Sequence, residues 1–210
     1  PLLVTGDPGT GKTRLAYFVA RHFGMTKPLV FNAKTTSLAR DMHYIYDQIK
    51  HFRDIQDKDK NADEMKEGRE MIGKYIYLQP LGKAIYESDK IRQIVLIDEI
   101  DKAPRDFPND LLDVMERMEF EIPEANLTDD NKIQGNQKNR PVVIITSNSE
   151  KSLPEAFLRR CVYFNIELPN DKTLRKILKA KLLKNMFSDD LLNRLIGHFR
   201  YIRSITGYKR

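Results

Sequence analysis

The sequence predicts an α/β protein with a parallel central sheet, followed by a small helical unit. Segments with apolar residues at helical spacing separate five short apolar runs, at residues 1–5, 28–32, 94–97, 141–146 and 162–166. This alternation predicts parallel strands, because each helix carries the chain back to the end of the sheet where the next strand begins. The third and fourth runs are typical of strands that are covered on both faces. We therefore expect a three-layer αβα sandwich.

The first elements are a strand, a loop and a helix. Residues 1–5 form an apolar run that ends at Gly6, and residues 11–23 carry apolar side chains at helical spacing up to Gly24. Residues 28–32 predict the second strand, which ends before a Thr-Thr-Ser cluster that is suited to helix capping.

Residues 38–87 are predicted to be mainly helical. One face of a long amphipathic helix is predicted by apolar residues three or four positions apart, namely Leu38, Met42, Ile45, Ile49 and Phe52. Residues 54–70 are nearly all charged or polar and form either an exposed helix or a mobile linker. A further helical segment is predicted around residues 71–76, and a short helix at residues 83–87.

The rest of the chain predicts four further strands. Residues 94–97 are the most hydrophobic strand and are followed by a helix over residues 111–118. Phe120 and Ile122 suggest a short alternating strand, and a polar, turn-rich stretch then leads like a hairpin into residues 141–146. After these come a short helix at residues 153–159, a strand at residues 162–166 and two helices built on residues 174–182 and 191–199.

The composition excludes several classes of protein. The chain has 210 residues, of which 40% are hydrophobic and 31% charged, so it is long enough for a substantial core and is not a disordered chain. Ten Gly and ten Pro exclude collagen-like and low-complexity sequences. No apolar run approaches the 18 or more residues that a membrane span needs, so we expect a soluble protein with no membrane contact.

The net charge of +6 is concentrated at one end. Residues 170–210 contain 11 of the 36 basic residues and only 3 of the 30 acidic ones, which marks a boundary near residue 169. Two interpretations remain open. A Lys-rich surface of a helix explains the charge, and so does contact with nucleic acid or another acidic partner.

Cysteine and histidine usage indicates the compartment. A single cysteine, Cys161, excludes an internal disulfide framework and a thiolate-rich zinc site. The four histidines show no HExxH spacing and no pairing with Cys161. The chain opens on an apolar run with no charged leader, and we therefore expect a reducing, cytoplasmic setting.

The loop after the first strand carries a phosphate-binding motif. Residues 6–13 read GDPGTGKT and match GxxxxGK[ST] between a predicted strand and a predicted helix. Glycines let backbone N–H groups close around phosphate oxygens, and the helix N-terminus adds the positive end of its dipole. Lys12 would neutralise the terminal phosphates, and Thr13 would place its hydroxyl on Mg²⁺. The candidate nucleotide-binding residues are Gly6, Asp7, Pro8, Gly9, Thr10, Gly11, Lys12, Thr13 and Arg14.

An acidic pair, Asp98 and Glu99, directly follows the most hydrophobic strand. Ligands bind at the carboxyl ends of strands in open α/β sheets, so this position suits a metal site. Asp98 would hold Mg²⁺, directly or through water, and Glu99 would polarise the water that attacks the terminal phosphate. The alternative is that the pair merely begins a loop.

Three further residues are candidates for catalysis. Asn148 ends the next apolar strand, where its side chain could contact the attacking water or the terminal phosphate, although Asn is also a common turn residue. Arg159 and Arg160 lie between a short helix and a strand. One of them could reach a neighbouring subunit as an arginine finger, and ordinary surface charge is the alternative.

Taken in order, four segments resemble the AAA+ ATPases. GDPGTGKT, IVLIDEIDKAP, VVIITSNS and LPEAFLRRC are similar to the Walker A, Walker B, sensor 1 and arginine-finger segments of that family. Within them, residues 34–56, 79–86 and 106–124 resemble the MoxR-type branch. The resemblance assigns Asn148 to sensor 1, and it matches Arg160 best to the finger, with Arg159 a close rival.

The resemblance also implies the architecture and the activity. It implies a P-loop NTPase domain over residues 1–168, a partial helical lid over residues 169–210, an insertion within residues 38–78 and a hairpin within residues 120–140. The implied activity is Mg²⁺-dependent ATP hydrolysis by a homo-oligomer that forms a hexameric ring. The implied role is to remodel or mature a partner protein, often one with a von Willebrand factor A domain. No sensor 2 arginine is identifiable before the chain ends.

Two other functions stay open at this stage. One is a nucleotide-dependent switch in a signalling or defence assembly, in which occupancy matters rather than continuous turnover. The other is a nucleic-acid-coupled motor of the GTP-dependent restriction type, which the basic C-terminal region would favour. No Asn-Lys-x-Asp element for guanine occurs in the sequence, so we expect ATP as the nucleotide.

Overall fold

The computed structural model describes residues 1–57, 68–125, 132–148, 152–181 and 188–205. Its strands, in chain order, are β1 (Leu2–Gly6), β2 (Leu29–Asn32), β3 (Tyr44–Tyr46), β4 (Ile76–Leu78), β5 (Ile94–Asp98), β6 (Glu119–Glu121), β7 (Lys132–Gln134), β8 (Val142–Thr146) and β9 (Val162–Ile166). Its α-helices are α1 (Lys12–His22), α2 (Gln48–Asp57), α3 (Pro80–Tyr86), α4 (Phe107–Arg117), α5 (Glu155–Leu158), α6 (Asp171–Lys181) and α7 (Asp189–Ile205).

Five strands form one parallel sheet in the order β2-β5-β8-β1-β9. Alternate residues of its central strands enter two separate apolar clusters, as the two-residue period of a strand requires. Val4, Leu96 and Ile144 pack with α1, whereas Leu3 and Ile145 belong to the cluster that includes residues of α3 and α4. Helices therefore cover both faces, and the predicted three-layer α/β fold is confirmed.

The strand order explains where a site can form. β8 lies between β1 and β5, and all three strands run in the same direction. Their carboxyl ends therefore meet at one edge of the sheet, and their amino ends meet at the other. The loop after β1, the acidic pair after β5 and the polar residues after β8 consequently share one edge.

The prediction of one long helix from Leu38 to Phe52 is wrong. A 3₁₀ turn (Ala39–Met42), strand β3 and helix α2 replace it. β3 pairs antiparallel with β4, with Tyr44 opposite Leu78. The apolar residues fit a helical spacing, but Tyr44 is buried and its neighbour Ile45 is exposed. This alternation is the two-residue period of a strand.

The helical segment predicted around residues 71–76 is also wrong. A 3₁₀ turn (Gly68–Met71) ends there, and Ile76 begins β4. Gly73 lies between them with φ +86°, a left-handed conformation that ends a helix. Of the polar stretch predicted as helix or linker, residues 54–57 belong to α2, and residues 58–67 lie outside the described residues.

The predicted hairpin is present, as β6 paired antiparallel with β7. The part of its turn at residues 126–131 lies outside the described residues. Its base packs on the β3–β4 ribbon. The Tyr44 hydroxyl donates to Glu124 Oε2 over 2.7 Å, and the Phe120 ring stacks on His43. Burial lowers the pKa of His43 to about 4, so this ring is neutral at pH 7. The hairpin and the ribbon therefore share one interface.

The last helices form the small unit that the sequence predicted, and α6 packs against α7. Residues 182–187, which include the predicted end of the first of these helices, lie outside the described part of the chain, as do residues 206–210. Among the described residues, no helix is both long enough and apolar enough to cross a bilayer. The domain boundary at residue 168 stays a prediction.

Candidate nucleotide-binding site

The loop between β1 and α1 adopts a conformation that depends on its glycines. Gly11, the residue before α1, has φ +96°, which is the left-handed region. Gly6 has φ +138°, and a Cβ there would lie 2.3 Å from the Ile166 carbonyl oxygen of β9. The first turn of α1 contains no acidic residue and its N-cap makes no side-chain hydrogen bond. The N–H groups at this helix end are therefore available to an anion.

Lys12 lies beneath this loop and is 7% exposed. Its ammonium donates to the carbonyl oxygens of Gly6, over 2.7 Å, and of Asp7, over 3.0 Å. Burial lowers the pKa of Lys12, although the nearby carboxylates, Asp101 and Asp98 foremost, act in the opposite direction. A buried ammonium that donates to two neutral carbonyls is suited to exchange them for phosphate oxygens.

Asp98, at the end of β5, contacts hydroxyls from both neighbouring elements. Thr13 Oγ1 lies 3.1 Å from each carboxylate oxygen of Asp98, and the Thr146 hydroxyl donates to Asp98 Oδ1. A hydroxyl and a carboxylate are hard oxygen donors of the kind that Mg²⁺ prefers. Among the described residues, no three or more His, Cys, Asp or Glu side chains are arranged so that they could hold a metal ion by themselves. Mg²⁺ bound with a nucleotide needs only one or two carboxylates, so the residues fit it.

Glu99 follows Asp98 in a strained backbone conformation, with φ +59°. Its N–H donates to Thr146 Oγ1 over 2.9 Å, which fixes the turn. The Asn148 side chain lies 3.4 Å from Glu99 Oε1, and Lys102 Nζ lies 2.6 Å from Glu99 Oε2. Both oxygens of this carboxylate are thus held by named partners. The turn aims the carboxylate toward Asn148 at the end of β8.

These residues surround one cavity of about 310 Å³. The predicted site residues that line it are Pro8, Gly9, Gly11, Lys12, Thr13, Arg14, Asp98, Glu99 and Asn148. Thr146 lines it as well. The other predicted loop residues make contacts within the loop. Thr10 donates to the Asp7 carbonyl with both its N–H and its hydroxyl, and the Gly6 carbonyl accepts from Lys12.

The comparisons with known proteins agree with this geometry. Residues 2–170 match the model of the ATPase family associated with various cellular activities (AAA). The chain belongs to the AAA family of ATPases. No curated protein matches the chain.

Among solved structures, the AAA fold recurs in a protein of Cytophaga hutchinsonii that is described as a candidate ATPase. The TM-score is 0.51 at 18% identity, and the match covers 88% of this chain. It covers 47% of the other protein, so this chain spans about half of that length. At this identity the likeness supports the fold, and the AAA family supports ATP binding and hydrolysis as the activity class.

The two candidate finger residues of this AAA domain lie away from the cavity. Arg159 and Arg160 precede β9, so they lie at the amino ends of the strands. Arg159 pairs with Glu155 on its own short helix, over 3.1 Å. Arg160 lies 3.5 Å from Glu116 at the end of α4. The structure separates these arginines from the cavity of their own chain by the length of the sheet. Their role in a neighbouring subunit stays a prediction.

Sequence reasoning missed three residues of the site. Thr146 is the last residue of an apolar strand, and a polar residue in that position was a usable signal. Lys102 contacts Glu99 across the 3₁₀ turn (Ile100–Lys102) that follows Glu99, and this turn was not predicted from the sequence. Arg203, near the end of α7, lies 2.6 Å from Asp7 Oδ2, and both side chains are largely buried. Nothing local in the sequence could have indicated a contact between residues 196 positions apart.

Proposed function

We propose that this chain is the ATP-hydrolysing module of an oligomeric, MoxR-like AAA+ assembly that remodels or matures a partner protein. One observation carries the proposal. Polar residues from the ends of β1, β5 and β8 converge on a single cavity at the start of α1, while the candidate finger arginines lie at the opposite ends of the strands. Such a module has a nearly complete site for ATP and an arginine that can contact the ATP site of a neighbouring subunit.

ATP would bind with its phosphates against the loop before α1. The N–H groups of the loop and of the first turn of α1 would donate to oxygens of the β- and γ-phosphates. The Lys12 ammonium would exchange its bonds to the Gly6 and Asp7 carbonyls for bonds to phosphate oxygens. The Thr13 hydroxyl and the Asp98 carboxylate would hold Mg²⁺. Mg²⁺ held there would supply positive charge that offsets the charge developing on the phosphates.

Glu99 would act as the general base. Its carboxylate accepts a proton from the water that attacks the γ-phosphorus, and the proton then resides on a Glu99 oxygen. The bond between the γ-phosphorus and the oxygen that bridges it to the β-phosphate breaks, and ADP leaves with that oxygen. Asn148 contacts this carboxylate and therefore lies where it can orient the same water. The left-handed turn at Glu99 supports the assignment, because backbone strain of this kind is concentrated at functional sites.

An arginine from a second copy would complete the site. Arg160 is the preferred finger and Arg159 its rival, since either can stabilise the charge of the transition state only in a neighbouring subunit. The assembly would be a homo-oligomer, with a hexameric ring as the form that the family resemblance implies. The cytoplasm is the proposed location.

The insertion and the hairpin would contact the partner protein. They share an interface built on Tyr44, Glu124 and Phe120, so a movement of one is transmitted to the other. A von Willebrand factor A domain protein is the partner class that the MoxR-like resemblance implies.

The decisive experiment replaces Glu99 in the full-length protein. Glu99→Gln removes the base but keeps the size of the side chain, so we expect ATP affinity to stay within about 3-fold while steady-state phosphate release falls at least about 100-fold. Calorimetry and a phosphate-release assay measure the two effects. Glu167→Gln is a matched control, because Glu167 follows β9 directly and is exposed. Unchanged phosphate release in Glu99→Gln would refute the assignment.

A second measurement tests the shared site. ATPase activity per protomer should rise with protein concentration as copies associate, and many turnovers per protomer distinguish a motor from a switch that hydrolyses once. Activity that is independent of concentration would contradict the oligomeric site.

A further inference from the structure

The amino ends of the central strands enclose a second cavity, of about 190 Å³. Pro141, directly before β8, lines it together with apolar side chains of α4, among them Leu112 and Met115. Three charged side chains complete the lining: Glu116, Arg140 and Arg160. The cavity lies across the sheet from the nucleotide site, so none of these charges can reach the nucleotide of its own subunit.

The two candidate finger arginines make different contacts. Arg159 pairs with Glu155 one helical turn before it, and both side chains are about 80% exposed, so this pair is confined to α5. Arg160 instead reaches a different element. Its Nε lies 3.5 Å from Oε1 of Glu116 on α4. Glu116 is thus a carboxylate on a different element that the Arg160 guanidinium contacts.

Glu116 is in turn attached to the base of the β6–β7 hairpin. The guanidinium of Arg140 donates to the main-chain carbonyl of Glu116 and, through Nε, to Gln137 Oε1 over 2.7 Å. Gln137 Nε2 donates to the Arg117 carbonyl over 3.2 Å. Residues that follow the hairpin thus donate hydrogen bonds to the last turn of α4, on which Glu116 lies.

We propose that Glu116 is a positioning residue that orients Arg160 toward the nucleotide of the neighbouring subunit and couples that orientation to the hairpin. The inference rests on the proposed function, because it needs Arg160 to act in a second copy. Glu116 touches no nucleotide. It fixes one rotamer of a long side chain, and a misplacement of about 1 Å in such a group lowers a rate by up to about 100-fold.

An exposed ion pair with no role in turnover is the competing explanation. Arg160 and Glu116 are both more than half exposed, and pairs of this kind contribute little to stability. The two explanations differ in their effect on catalysis, because a surface pair changes no kinetic constant.

The first test measures ATP hydrolysis by variants of the full-length protein at a concentration where it is assembled. Glu116→Gln should lower kcat about 10-fold and leave KM for ATP unchanged, and Glu116→Asp should recover part of the loss. Asp113→Asn is the matched control, since Asp113 pairs with Arg117 on the same helix and should leave kcat within about 2-fold. An unchanged kcat in Glu116→Gln, or an equal loss in the control, overturns the proposal.

The second test locates the effect in the subunit that donates the arginine. Copies with Lys12→Ala retain Arg160 but lack ATP binding, and copies with Arg160→Ala retain the nucleotide site, so a mixture of the two should regain turnover. Adding Glu116→Gln to the Lys12→Ala copies should reduce this recovery, whereas adding it to the Arg160→Ala copies should not. An equal reduction in both mixtures shows that Glu116 acts elsewhere and overturns the proposal.

The two tests separate the failure of this inference from that of the proposed function. If Arg160→Ala alone leaves kcat unchanged, the shared-site model fails and the inference fails with it. If Arg160→Ala abolishes turnover but Glu116→Gln does not lower it, only the role of Glu116 is wrong.

Discussion

At the carboxyl ends of β1, β5 and β8 the polar side chains bind one another, whereas at the amino ends of the sheet the charged side chains face solvent. Lys12 is 7% exposed and donates to two carbonyls, and Asp98 contacts two hydroxyls. Arg160 is about half exposed and has one carboxylate, 3.5 Å away. Preorganised groups of the first kind suit a binding site that one chain builds for itself.

The second arrangement suits a group that works outside its own chain. A long exposed cation makes weak contacts in water, and its charge becomes effective only when a partner excludes that water. This difference indicates that the two edges of the sheet acquire their active geometry at different stages. One edge must be formed before ATP arrives, and the other is completed by the contact between copies.

The largest effect is expected from the amino-end arginines. Arg160→Ala should lower kcat about 1,000-fold, because an arginine finger contributes about 10³–10⁵ to phosphoryl transfer, while Arg159→Ala should change it less than about 3-fold. The reason is that Arg159 stays paired within α5. Steady-state ATPase assays of the assembled protein measure both. The reverse ranking would make Arg159 the finger and would remove the basis for the role of Glu116.

A smaller effect on binding is expected at the carboxyl ends. Lys12→Met should weaken ATP binding about 100-fold, since it removes a charge-assisted contact to phosphate. The nucleotide-free protein should unfold at the same or a higher temperature. Burial lowers the pKa of Lys12 in the folded protein below its value in the unfolded chain. The charged side chain therefore lowers the free energy of unfolding, fully at pH values below the folded-state pKa, and a neutral side chain removes this cost.

Calorimetry and thermal unfolding near pH 7.5 measure the two quantities. A large loss of stability in Lys12→Met would show that the carbonyl contacts of Lys12 hold the loop together. The loop would then not be preformed, and the contrast between the two edges would weaken.

Short-range patterns allowed most of the fold to be predicted from the sequence. The loop at residues 6–13 and the acidic pair Asp98–Glu99 each lie directly after an apolar strand, so a local signal fixes them. The β3–β4 ribbon was missed because residues such as Ile45 fit a helical period by chance, and the pairing that makes them a strand comes from residues 76–78.

The residues of the candidate site were predictable where they directly follow a strand, and not where a distant helix supplies them. Parallel strands bring Lys12, Asp98 and Asn148 to one edge, which spacing alone could anticipate. The contact between Arg203 and Asp7 depends on how α7 packs across the domain, and no local pattern encodes it. The roles of these residues in catalysis stay predictions.

The smallest effect is expected from Arg203, which joins α7 to the loop at residues 6–13 through its ion pair with Asp7. Arg203→Ala should change KM for ATP by about 3- to 10-fold, because it frees α7 and leaves the Asp7 carboxylate without its cation beside the phosphates. Asp7→Asn in the same background should restore part of the affinity, since it removes that negative charge. Arg194→Ala is the control on α7, as Arg194 pairs only locally with Asp190. If the control and Arg203→Ala behave alike, α7 does not contribute to the carboxyl-end site, and that site is complete within the residues that precede it.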